Sequence, residues 1–126
     1  MARVTIDVVT YDSKADSFKM VLVEEGPWEP GGIEEHLRTL QQRLYDCVDA
    51  AIDGHLASEF PDSRGKDVVI QLDCYDTPDE AVSIFFGRFR DQVSGSSEIQ
   101  ADIKRQGFVR SLRLEYNHCS LKGRDA

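Results

Sequence analysis

Three cysteines, three histidines and a large set of carboxylates are the groups in this 126-residue chain that could do chemistry. Cys47, Cys74 and Cys119 are widely spaced, and His36, His55 and His118 form no CxxC or HxxxH pair with one another or with them. A structural zinc site needs four converging ligands, so no metal and no cofactor is expected. Cys74 could serve as a nucleophile with His36 or His55 as its base, but its place in an apolar alternation points to packing. GxSxG, P-loop and GxGxxG motifs are absent. Asp7 and Asp73 are the one carboxylate pair with a physical basis for catalysis or cation binding, provided that their strands are neighbours. Lys19 and Arg113 are expected on the same surface, where an ordinary salt-bridged face explains all four residues. No catalytic residue is therefore assigned, and the chain is expected not to be an enzyme.

The carboxylates that stand out are those around the single tryptophan. Glu24, Glu25, Glu29, Glu34 and Glu35 surround Trp28 in a segment rich in proline and glycine. Asp46, Asp49 and Asp53 follow i, i+3, i+7 spacing and form one stripe on a helix. Trp28 has two readings, an exposed anchor for a partner or a plug folded back against the sheet edge or the helix N-terminus. Together these nine residues are the candidate partner-binding surface.

Charge supports that choice. The formal net charge is −8, with twelve Asp/Glu against five Lys/Arg in residues 1–60 and eleven against ten in residues 61–126. Such a surface repels nucleic acid and steers basic proteins. Hydrophobic residues at 40% and charged residues at 30% fit a globular chain, read as a single domain over residues 1–126 with a frayed tail after about residue 117. No run of about 18 apolar residues suggests a membrane span, and no secretory leader is evident. Cysteine usage points to the cytoplasm.

The elements that position these groups follow from periodicity. Val4, Ile6 and Val8 alternate as a strand, Asp12–Asp16 turns, and Phe18, Met20 and Leu22 resume the alternation as a hairpin. Ile33 to Ile52 carries a helical stripe that Leu56 and Phe60 extend, with a kink or stop expected at Gly54. Asp67–Tyr75 alternates as a strand. Thr77, Pro78 and Glu80 read as N-cap, first-turn proline and capping-box partner of a second long helix. Gly95 stops that helix, Ser97 and Gln100 could cap a third, and Leu112, Leu114 and Tyr116 alternate in a last strand. The order ββαβα(α)β predicts an α+β two-layer sandwich: a mixed four-stranded sheet with its helices on one face.

The run Pro27-Trp28, Leu37-x-x-Leu40-Gln41-x-Arg43-Leu44, Asp53-Gly54-His55-Leu56, Phe60-Pro61, Gly65-Lys66-x-Val68-x-Ile70-x-Leu72 and Pro78 resembles a family of small bacterial domains of unknown function, over roughly residues 4–116. The resemblance implies a small α/β fold and a bacterial cytosolic origin, and it transfers no functional residue. In general type the chain is also similar to immunity proteins that neutralise bacterial toxins. The leading expectation is an acidic, non-enzymatic inhibitor of a basic, nuclease-like toxin. The alternatives are a homodimeric structural or regulatory domain paired through its open sheet face, and a small hydrolase built on Asp7 and Asp73.

Overall fold

The computed structural model describes residues 8–119. Four strands and four helices succeed one another as β1 (Val8–Asp12), β2 (Ser17–Glu25), α1 (Ile33–Asp53), α2 (His55–Glu59), β3 (Asp67–Tyr75), α3 (Asp79–Gly95), α4 (Ser97–Gln106) and β4 (Ser111–Cys119). The strands stand side by side in chain order. β1 and β2 are antiparallel, whereas β2, β3 and β4 run parallel. Parallel neighbours need crossovers, and α1 with α2, then α3 with α4, supply them. This is the expected mixed α+β sandwich.

Two-residue periodicity divides the sheet into two faces. Phe18, Met20 and Leu22 of β2, Val68, Ile70, Leu72 and Cys74 of β3, and Leu114 of β4 are buried. They form one core with Leu40, Leu44, Cys47, Val48 and Ala51 of α1 and Val82, Phe86, Phe89 and Val93 of α3. On the other face the register aligns Lys19, Val69 and Arg113 in one row, and Val21, Gln71 and Glu115 in the next. Val69 is nonetheless only 1% exposed, flanked by two long side chains whose aliphatic stems can cover it.

The hairpin turn is set by Asp12, whose Oδ1 accepts from the backbone N–H groups of Lys14 and Ala15. Residues 1–7 and 120–126, including Asp7 and the strand residues Val4 and Ile6, lie outside the described residues.

The long helix stops at Gly54, one of the two outcomes expected there: Gly54 takes φ +97°, a left-handed conformation open to glycine, and separates α1 from α2. Two local expectations are corrected. Thr77 does not cap α3. Pro78 holds the cap position without a side-chain hydrogen bond, and Thr77 is buried beside the Cys74 thiol. The cap of α4 is Ser96 rather than Ser97; its Oγ accepts from Ile99 N–H, while Gln100 Nε2 reaches back to Val93 O.

Candidate functional site

The tryptophan loop is tied to the carboxyl ends of β2 and β3. Gly26 N–H donates to Tyr75 O at 2.7 Å, extending the β2–β3 ladder by one residue. A Cβ at Gly26 would stand 1.7 Å from Asp76 O, so only glycine allows this approach. The Gly26–Pro27 bond is cis. The chain then turns inward, and Trp28 is 8% exposed within the core cluster. Its ring lies on the His36 imidazole, 4.8 Å between centroids and 9° from parallel. The exposed-anchor reading of Trp28 is thereby corrected. An indole is too large an apolar surface to leave in water when the mouth between sheet and helix can take it.

The loop acids separate into two kinds. Glu24 ends β2 on the helix-facing side and forms an ion pair with Arg43 of α1, both side chains less than one-fifth exposed. It fastens the sheet to the helix and is not presented to solvent. Arg43 is the residue that periodicity alone missed, because it lies just beside the apolar stripe of α1. Glu25, Glu29, Glu34 and Glu35 are exposed. Glu34 has a loose partner in Arg38, 3.8 Å away on the next turn.

The aspartate stripe forms as its spacing requires. Asp46 accepts from Gln42 Nε2 at 3.0 Å, and Asp53 Oδ1 accepts from His55 N–H at 3.2 Å. Asp49 lies between them, its carboxyl raised above the ordinary value by partial burial and then by the charges of Asp53 and Asp46. No basic residue occupies the last turn of α1, where the helix dipole disfavours carboxylates. Glu35 begins the same outer face (Glu35, Gln42, Asp46, Asp49, Asp53), with Asp46 about 16 Å further along the axis. The structure thus brings the three aspartates together, sets Glu34 and Glu35 at the far end of the same helix, and withdraws Trp28 and Glu24.

Of the groups considered for catalysis, Asp73 is hydrogen-bonded and Cys74 is buried. Asp73 accepts from Gln71 Nε2 and from Asn117 Nδ2, each at 3.0 Å. Cys74 is fully buried, and burial pushes its thiol up to about 11. Its neighbour in register is His118, not His36 or His55. Among the described residues no group of three or more His, Cys, Asp or Glu could hold a metal ion. No helix among them is long and apolar enough to cross a membrane.

At the opposite end of the sheet an open cavity of about 490 Å³ is lined by Tyr11, Phe18, Asp62 and Lys66. Two of its lining groups are tied to Asp16, which accepts from Tyr11 Oη at 2.6 Å and from Lys66 Nζ at 2.8 Å.

The architecture and surface therefore define a small acidic α+β sandwich whose outer helix carries crowded carboxylates. The chain belongs to the family of unknown function DUF6572, which matches residues 2–105. Neither the comparison with curated proteins nor that with solved structures gives a match.

Proposed function

We propose that this chain is a non-enzymatic binding protein that presents the outer face of α1 to a basic protein partner. The observation that carries the reading is Asp49, held between Asp46 and Asp53 with no cation in the last helical turn. Like charges so spaced cost a few tenths of a kcal/mol each in an isolated helix. A docked cationic surface relieves that repulsion, so the same groups that weaken the free helix favour the complex. Glu35 extends the acidic face toward its other end, with Glu34 beside it in the first turn, Glu25 at the end of β2 and Glu29 on the loop between them.

In its specific form the proposal is an immunity-type inhibitor: the carboxylates stand in for the phosphates that a nuclease-like toxin binds. Electrostatic steering would speed the encounter. That Cys47, Cys74 and Cys119 form no disulfide supports a reducing, cytoplasmic setting. The engaged state of Asp73 and the burial of Cys74 support a non-enzymatic role.

The test compares the wild-type chain with an Asp46→Asn, Asp49→Asn, Asp53→Asn variant as baits in a lysate of the source cells, with stepwise salt elution. The expected result is a basic protein held by the wild type, released by salt and absent from the variant eluate. Equal capture by both baits, or capture of nothing by either, would overturn the reading.

A further inference from the structure

Among the described residues β4 is the outermost strand of the sheet, with all nine of its residues, Ser111–Cys119, in register with β3 on one side only. It contains no proline, so its free edge can accept another strand. The side chains along it are arranged symmetrically about Leu114. In an antiparallel pairing of two copies with the two-fold axis at Leu114, Arg113 faces Glu115 of the second copy. Leu112 then faces Tyr116, and Ser111 faces Asn117. Each pair joins residues from the same face of the sheet, so the apolar side stays continuous beneath the helices.

Neighbouring registers fail. An axis at Arg113 or at Glu115 sets a like charge opposite itself, and a one-residue slip sends apolar side chains to the wrong face. Within one chain, Arg113 and Glu115 make only a loose 3.7 Å contact, with 70% and 44% of their side chains exposed. They are available to a second copy.

The helix layer leaves room for this pairing. α3 covers β4 through Phe86, whose ring centroid is 5.7 Å from that of Tyr116, and through the Tyr116 Oη hydrogen bond to Asp79 at 2.7 Å. Phe85 and Phe89 stack on the flank of α3 where Phe89 meets Tyr45 of α1. Ser83 and Gly87 lie about 200° around the helix from Phe85, on the flank turned away from α1. A Cβ at Gly87 would meet nothing within 4 Å. Ser83 and Gly87 are the small positions of that flank, which the exposed Arg90 shares, so the close approach of a second helix falls at the two small residues.

We infer that β4 is a self-association edge: two copies join antiparallel across Leu114 into one continuous sheet, aligned by reciprocal Arg113–Glu115 pairs. The outer face of α1 stays free in this assembly, so the inference stands independently of the proposed partner.

Sedimentation at increasing protein concentration tests it. The wild type is expected to dimerise, and Arg113→Glu and Glu115→Arg are each expected to weaken the dimer about tenfold or more by opposing like charges. Circular dichroism should show both variants folded, since the two side chains are exposed. An equimolar mixture of the two variants should dimerise again, because one copy then carries two acids and the other two bases. A wild type that stays monomeric, a dimer indifferent to both substitutions, or a mixture that remains monomeric would each overturn the inference.

Discussion

Trp28 lies flat on His36, their ring centroids 4.8 Å apart and their planes 9° from parallel. The residue that looked most like a partner's anchor is instead the plug of the mouth between β2 and α1. The acids around it take their positions from that plug: Glu24 turns in to Arg43, and Glu29 remains outside.

Replacing Trp28 with alanine should therefore act on stability. Removal of a buried aromatic of this size costs about 3–5 kcal/mol, measurable as a lower urea midpoint. Phenylalanine, which keeps a ring over His36, should recover part of the loss. Partner affinity of the folded Trp28→Phe variant should match the wild type.

Gly26 tolerates no side chain. With Asp76 O 1.7 Å from the place of a Cβ, Gly26→Ala must break the Gly26–Tyr75 hydrogen bond or displace the β3–α3 turn. A loss of more than about 4 kcal/mol is expected. Gly31, where a Cβ meets nothing within 4 Å, is the control, and its alanine variant should melt within a degree or two of the wild type.

Asp67 and Asp49 should respond to pH in opposite directions. Asp67 accepts from Arg110 Nε and Nη2 and from Ser111 Oγ, and these bonds hold its carboxyl well below the usual carboxylate range. The stabilisation is complete above the unfolded value of about 3.9 and is lost as pH falls through the lower folded value. Asp67→Asn should be less stable than the wild type at pH 7, with the gap closing in strong acid.

Asp49 is raised by burial and by Asp53 and Asp46, so its charge opposes folding at neutral pH and protonation relieves the cost. Asp49→Asn should be more stable at pH 7 by a few tenths of a kcal/mol. That advantage should shrink as pH falls through the raised folded value. Chemical denaturation across a pH series reads both effects.

The three thiols should differ in reactivity. Cys47 and Cys74 are fully buried, and the Cys74 thiol is pushed up to about 11, which leaves little thiolate at pH 8. Cys119, partly exposed at the end of β4, should be the one thiol that a disulfide reagent titrates promptly in the native protein. The other two should appear only on unfolding, as peptide mapping of a pulsed alkylation would show.

Local periodicity determined the elements. Alternation in Asp67–Tyr75 and the three-to-four spacing from Ile33 to Ile52 each bury one face whatever their neighbours, so strand, helix and layer order were legible in the chain. The aspartate stripe was legible for the same reason: spacing on one helix fixes which side chains share a side. The direction of Trp28, the Glu24–Arg43 pair, the position of Thr77 and the relation of Asp73 to Gln71 and Asn117 were not. The Glu24–Arg43 pair and the Asn117–Asp73 bond join segments far apart in the chain, and no local pattern encodes which of two exposures a loop side chain takes. Only when the carboxyl ends of β2 and β3 close over α1 does burying an indole gain more than leaving it in water, and that closure belongs to the tertiary structure.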